Sequence, residues 1–272
     1  MLSVAEAYGL RFLFPSRDDV IGASLRDHGE FARPESDLIS TYLARLGDSG
    51  CFVDVGANIG AICLPVAKAH PARPVIAIEA HRGLHSILAT NALSNGLYNV
   101  SPYHAAAGPT TGLAEFPATS LGSTGNFGTL RFGMEASRME TVRMLTLDSI
   151  APSNTQFIKI DVEGFELEVL KGAPQTLSTT RPAWFLEANP ENDGPARQTM
   201  RVMLEAGYRL YWFFAPFITT RLRDRDNPQI HGDTNFLALP EGMENIWDLV
   251  PITSPSDQKP ASIASYAYLN RY

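Results

Sequence analysis

From Cys51 onward, short apolar runs alternate with helix-like segments, and that alternation restricts the chain to few architectures. The runs CFVDV (51–55), PVIAIEA (74–80), FIKIDV (157–162) and PAWFLEA (182–188) are continuous, as strands buried on both faces must be. Between and after them lie GAICLPVAKAH (60–70), RGLHSILATNALSNG (82–96), FELEVLKGAPQTL (165–177) and PARQTMRVMLEAGY (195–208), which read as helices. Pro65 fits the first of these only near its opening turns. NVSPYHAAA (99–107) is a weaker third strand, TVRMLTLDSI (141–150) returns to strand character, and YRLYWFF (208–214) and TNFLALP (234–240) close the series. This rhythm predicts a Rossmann-like α/β fold: a mainly parallel, doubly wound sheet with helices on both faces and an antiparallel closing strand.

The main domain is expected to span 51–240. Residues 1–50 form a lead-in, with LRFLF (10–14) as a short strand and a helix over RPESDLISTYLARLG (33–47) that covers the site and brings Glu35 to it. A glycine-rich stretch at about 108–140 breaks the alternation and predicts an inserted hairpin or loop, part of an acceptor pocket, with Asn126 among its substrate contacts. Residues 241–272 read as a tail, Ser/Pro-biased towards its end, that wraps the domain or frays.

With 22 basic against 29 acidic residues the net charge is −7, which disfavours nucleic acid and anionic membranes as partners. No apolar run reaches the ~18 residues of a membrane span, and MLSVAEAYGLRFLF lacks the basic start of a signal peptide. Cys51 and Cys63 lack metal-ligand spacing and read as buried free thiols, suited to a reducing compartment. A cytoplasmic protein is expected, and composition leaves homo-oligomerisation open.

The turn in FVDVGANIG (52–60) sits where open α/β sheets bind ligands. A GxGxxG dinucleotide turn needs glycine where Asn58 and Ala61 stand, and a P-loop needs a Lys-Ser or Lys-Thr pair that NIGAI lacks. Asp54 at the strand end would repel a pyrophosphate. A cationic ligand reverses that sign. S-adenosylmethionine carries an ammonium and a sulfonium for Asp54 to balance, and a carboxylate for the helix N-terminus. Gly56 and Gly60, with Asn58 between them, let the backbone approach the ligand. Glu79, closing the second strand, can accept both ribose hydroxyls, each bond worth about 1.5–3 kcal/mol. S-adenosylmethionine is therefore the expected cofactor.

With FVDVGANIG, IEA, TLDSI and FIKIDVEGFELEVLKGA in order, the chain resembles the FkbM family of methyltransferases over about residues 35–190. DVEGFELEVLKGA is the most specific element. YRLYWFF and GDTNFLALP also resemble closing segments of members associated with glycan and secondary-metabolite pathways. The resemblance implies a class I methyltransferase fold, S-adenosylmethionine as donor, and O-methylation of a sugar or polyketide hydroxyl, with some relatives methylating nitrogen. The family's usual IEP reads IEA at 78–80, which keeps the carboxylate. At the third strand YHAAAGP leaves backbone groups around Ala106 to meet the adenine.

A second acidic cluster, KIDVEGFELEV (159–169), places Asp161 at a strand end with Glu163 two residues on. Methyl transfer needs alignment and a base for the attacking hydroxyl, so Asp161, also beside the cofactor, and then Glu163 are the candidate catalytic residues. Glu163 can instead cap the next helix, where Glu166 and Glu168 read as a solvated face, and Asp148 reads as a turn or cap residue. A metal built from Asp161, Glu163 and a histidine is unsupported by spacing, so no metal is expected. Glu187 and Asn189 face the crevice as substrate ligands. His231 either swings over the site as a base or lies on the surface. Tyr211, Trp212 and Phe213 form a sugar-stacking wall or core. The expected function is O-methylation of a sugar or sugar-bearing secondary metabolite. N-methylation of a peptide or amine is the alternative, and a non-catalytic cofactor-binding module is the rival of another class.

Overall fold

The structure, a computed structural model, describes residues 1–188, 193–223 and 230–272. The chain opens with an antiparallel hairpin of β1 (Leu2–Ala7) and β2 (Leu10–Pro15), turned at Tyr8 and Gly9. Helices α1 (Ile21–His28) and α2 (Arg33–Arg45) follow, the second with Pro34 and Glu35 in its first turn. The sheet then begins with β3 (Cys51–Val55), α3 (Cys63–Ala69), β4 (Val75–Glu79), α4 (Arg82–Ser94), β5 (Val100–His104) and β6 (Ala106–Ala107). It continues with β7 (Gly112–Pro117), β8 (Met139–Leu145), α5 (Leu147–Ile150), β9 (Thr155–Ile160), α6 (Glu166–Lys171), β10 (Ala183–Glu187) and α7 (Asp193–Glu205). Strands β11 (Arg209–Pro216), β12 (Gly232–Leu239) and β13 (Val250–Ile252) close it.

Eight strands form the main sheet in the order β13-β11-β12-β10-β9-β3-β4-β5. Strands β10, β9, β3, β4 and β5 pair in parallel; the inner ones carry the apolar runs of strands covered on both faces, and the edge strand β5 alternates in burial. Strand β12 is antiparallel to β10 and β11, and β13 is antiparallel to β11. Two strands thus run against the rest, where the sequence led us to expect one. The extra strand, β13, lies in the segment read as a tail. That segment wraps the sheet: Tyr268 stacks on Phe213 with centroids 4.7 Å apart, and its hydroxyl donates to Phe214 O at 2.7 Å.

After β3 the chain adds β4 and β5 on one side, then returns to add β9 and β10 on the other. The reversal falls between β3 and β9, so their carboxyl ends border the crevice where such sheets bind ligands. The insertion forms a small sheet in which β8 pairs with β7 antiparallel and with β6 in parallel. Its loop returns over the crevice, where Gly125 N donates to Arg17 O at 3.2 Å. Behind the crevice, Asn91 of α4 accepts from Leu13 N and donates to Leu13 O and Ile59 O, tying the hairpin to the glycine turn.

Candidate active site

Gly56 ends β3 with φ at 81°, and its N–H and that of Ala57 both donate to Ile78 O, at 2.9 and 3.0 Å. A Cβ on Gly56 would sit 1.8 Å from the Asp161 carbonyl oxygen, so only glycine fits between the two strand ends. Asn58 is left-handed at φ 51°, and its side-chain oxygen takes the Ile59 N–H at 2.8 Å, a local bond that makes this conformation tolerable. The helix expected from Gly60 starts only at Cys63. Gly60 itself (φ 91°) packs against Leu64 and Leu88; it shapes the turn without lining either cavity described below.

Glu79 fastens this turn from the neighbouring strand. Asn58 N–H donates to one carboxylate oxygen at 2.9 Å and His81 N–H to the other at 2.7 Å. Each oxygen keeps acceptor capacity for a ligand. Burial pushes the Glu79 carboxyl up to about 7, against the pull of the His81 and Asn58 bonds.

Beside Glu79 lies a cavity walled by Leu84, Phe116, Phe127, Leu130, Phe132 and Phe165, with Ala105, Ala106 and Ala107 along one edge. Apolar walls next to a half-satisfied carboxylate suit a planar base joined to a ribose. A second, roomier cleft shares Gly56, Asn58, Gly128 and Asp161 with the first. Its carboxylates are Asp54, Asp161, Glu163, Glu187 and Asp233, and its cations are Lys159 and Lys259. The insertion lines both spaces, with Asn126 in the second, where its side-chain oxygen caps the Phe127–Thr129 turn at Gly128 N.

Lys159 organises the acidic floor. Its Nζ lies 2.9 Å from Asp161 Oδ2 and 3.8 Å from Asp54 Oδ1. Burial alone would push the ammonium pKa down; Asp161, Asp54 and Glu35 together reverse that and hold it up. Asp54 is 1% exposed, and its Oδ1 has no hydrogen-bond partner. Lys159 therefore already answers part of the charge that we assigned to the ligand. The sequence did contain this signal: alternation in KID puts Lys159 and Asp161 on one face of β9, and Asp54 is the cross-strand partner of Lys159.

Asp161, Glu163 and Glu187 converge, one carboxylate oxygen from each lying within 4.8 Å of the other two. Glu163 has a left-handed backbone at φ 55°. Its loop is held by Glu166, which accepts Val162 N and Gly164 N at 3.1 Å each. This corrects the expectation of a solvated Glu166: the side chain turns back from the first residue of α6 and is buried. Glu168 pairs with Lys171, and Asp148 accepts the amides of Gln175 and Thr176.

Other candidates sit elsewhere. Glu35 is 3% exposed and accepts Asn235 Nδ2 at 3.2 Å, behind the cavity walls and outside them. His231 is exposed and lines a separate groove with Asp27 and Arg221. The pairing of Pro216 with Gly232 starts β12 just after it and leaves it beyond the strand end, outside the residues that line the cleft. Asn189 lies outside the described residues. Tyr211, Trp212 and Phe213 are core. The aromatic residues of the cleft are Phe214 and the stacked pair Phe31 and Phe217, 5.2 Å apart, which the sequence reading missed because they lie at strand ends and in loops.

Crowded carboxylates give this site a pH signature. Burial pushes Glu35 up to about 8 and Asp233 up to about 7, each opposed by Lys159, alongside Glu79 at about 7. All three hold protons in the folded chain that the unfolded chain has released, so folding takes up protons. Their contribution to stability is complete below about 4.5 and is lost as pH rises through about 7–8. Without added ligand, Tm should rise as pH falls from about 8 to about 6, and Glu35→Gln should flatten that slope. A melting curve that climbs with pH over this window would contradict the assignment.

Comparison with known proteins bears on this geometry. Residues 54–210, more than half of the chain, match the family model described as the methyltransferase FkbM domain. The hexuronic acid methyltransferase AglP of Haloferax volcanii is 27% identical over 184 residues, covering 66% of this chain and 70% of that protein. The FkbM methyltransferase structure from Methylobacillus flagellatus KT is 21% identical with a TM-score of 0.47; the match covers 70% of this chain but only 44% of that one. An O-methyltransferase from Bacillus cereus, solved with S-adenosylhomocysteine, is 11% identical with a TM-score of 0.50, over 81% and 86% of the two chains. No helix among the described residues is long and apolar enough to cross a membrane. The glycine turn fastened by a strand-end carboxylate, the cavity beside it and the matched segment agree, and the chain belongs to the FkbM family of S-adenosylmethionine-dependent methyltransferases.

Proposed function

We propose that this methyltransferase O-methylates a hydroxyl of a sugar or sugar-bearing metabolite. The observation that carries the reading is the junction of the two cavities, where Asp161 and Gly56 belong to both. S-adenosylmethionine, when bound, supplies a methyl group activated on a sulfonium. The first cavity would hold its adenosine: Glu79 would accept the ribose hydroxyls with its remaining lone pairs, and the aromatic walls would enclose the base. Asp54, buried and with an oxygen that lacks a hydrogen-bond partner, would balance the positive methionine end beside its ion pair with Lys159. The acceptor enters the second cleft, where the Phe31–Phe217 stack offers an apolar face to a sugar ring and Glu187 its carboxylate to ring hydroxyls. Asp161, oriented by Lys159 through Oδ2, presents its other oxygen to the attacking hydroxyl and takes the proton, with Glu163 as its neighbour.

The relation to AglP, a protein named for hexuronic acid, supports a carbohydrate acceptor. The surplus of carboxylates in the cleft also favours a cationic amine, which keeps N-methylation as a second reading. Transfer of labelled methyl should be measured with neutral glycosides, uronic acids and amino sugars, and the products assigned by NMR. A methyl ether is the expected product. Label found only on nitrogen selects the second reading. Protein that is stabilised by S-adenosylhomocysteine yet labels none of the sugars refutes the carbohydrate acceptor.

A further inference from the structure

We infer that Asp161, Glu163 and Glu187 form the binding site of a hard divalent cation at the floor of the cleft, an inference that rests on reading that cleft as the acceptor site. The convergence comes from the fold. Strands β9 and β10 pair in parallel with Leu186 opposite Ile160. The next residue on each strand is an acid, Glu187 or Asp161, so the sheet sets the two carboxylates side by side. Glu163 joins them through its left-handed backbone, in a loop that Glu166 fixes by two amide bonds.

A second observation points to a ligand. Glu187 is only 8% exposed, and its Oε2 has no hydrogen-bond partner. A buried carboxylate oxygen without a donor is costly, and no group among the described residues relieves it. Lys159 is committed to Asp161 Oδ2 and leans towards Asp54. A point charge centred among the three groups would answer what Lys159 does not.

The donor chemistry selects the ion. Three carboxylates, with no sulfur or imidazole among them, suit Mg²⁺, Mn²⁺ or Ca²⁺ better than zinc. Opposed oxygens lie about 4.2 Å apart across Mg²⁺ and about 5 Å apart across Ca²⁺. The three carboxylate oxygens lie within 4.8 Å of one another and need only close together slightly to share one such ion. Open coordination positions would then face the cleft, ready for acceptor hydroxyls. A bound cation lowers the pKa of such a hydroxyl and makes a carboxylate-bearing acceptor compatible with an otherwise anionic cleft.

Mn²⁺ is the probe. The full-length protein, freed of metal by chelation, should quench the electron paramagnetic resonance signal of free Mn²⁺ with a stoichiometry near one. Glu187→Gln and Glu163→Gln should each weaken that binding by more than about tenfold, while S-adenosylhomocysteine still raises Tm and so reports an intact fold. Glu168→Gln, an acid paired with Lys171 outside the cleft, should bind Mn²⁺ as the wild type does. No quenching at millimolar Mn²⁺, or quenching that both cleft variants retain, overturns the cation site. Failure of the sugar assay with Mn²⁺ binding intact would count against the acceptor reading alone.

Discussion

Gly56→Ala is expected to abolish both turnover and the stabilisation by S-adenosylhomocysteine. Two independent penalties act at this position. The φ of 81° costs an L-residue about 1–2 kcal/mol. The added Cβ would also stand 1.8 Å from a backbone oxygen, Asp161 O, which no rotamer change can move. Relief requires the ends of β3 and β9 to part, and the bond from Asp161 N to Val55 O at 3.0 Å resists exactly that separation. Any such parting displaces Asp54, Asp161 and the turn that Glu79 anchors, so donor and acceptor sides fail together. Calorimetric titration should show S-adenosylhomocysteine affinity falling by at least about a hundredfold, the equivalent of about 2.7 kcal/mol. Gly60→Ala is the contrast. It is strained at φ 91°, but the nearest atoms to its Cβ would be side-chain carbons of Leu64 and Leu88 and not backbone. Its effect should appear in Tm more than in affinity. Wild-type affinity in Gly56→Ala would show that the turn is not the donor site.

The sequence made legible those parts that local pattern dictates. CFVDV, VIAIE and AWFLE announced strands because a run buried on both faces must be apolar throughout, and every residue in them is buried. Strand-end acids followed from the same runs, which is why Asp54, Glu79, Asp161 and Glu187 could be named in advance. What escaped depends on tertiary partners. LSVAEA carries little β-propensity and becomes β1 only because β2 pairs with it. VPI becomes β13 only against Leu210–Trp212. Lys259, reaching Thr234 at 3.1 Å from the C-terminal segment, joins a cleft that no local rule associates with residue 259.

The misread site residues share one cause. Glu166 looked solvated because helical position alone says nothing of a side chain that turns back on the preceding loop. His231 was left open between cleft and surface because sequence distance cannot tell on which side of a strand end a residue falls. Lys159 was passed over because an ion inside an apolar run reads as an exception until its cross-strand partner is known. Asn58 and Glu163 show the complementary effect: both hold left-handed backbones that local preference disfavours, and both line the cleft. Departures from local rule cluster where ligands are handled.

The largest purely chemical effect is expected from Asp161→Asn. The amide keeps the size of the carboxylate and an oxygen for Lys159, so the fold and the donor cavity should survive. What is lost is a charged acceptor for the proton of the attacking hydroxyl, and a positioned base contributes about 10²–10⁴-fold. kcat should fall by about that factor while S-adenosylhomocysteine affinity changes little. The pH profile separates Asp161 from its neighbour. Burial, with the charges of Asp161 and Asp233, pushes the Glu163 carboxyl up, so Glu163 releases its proton only as pH rises. If Glu163 takes the substrate proton, activity climbs with pH along that titration, and Glu163→Gln removes both the rate and the climb. In that case Asp161→Asn, by deleting a neighbouring negative charge, moves the climb to lower pH. If Asp161 is the base, Glu163→Gln leaves the shape of the pH profile unchanged, whatever rate its weakened cation binding retains. His231→Ala, outside the cleft, serves as the unaffected control. Wild-type kcat in both Asp161→Asn and Glu163→Gln would remove the acidic floor from the chemistry and leave it the task of holding the acceptor in line.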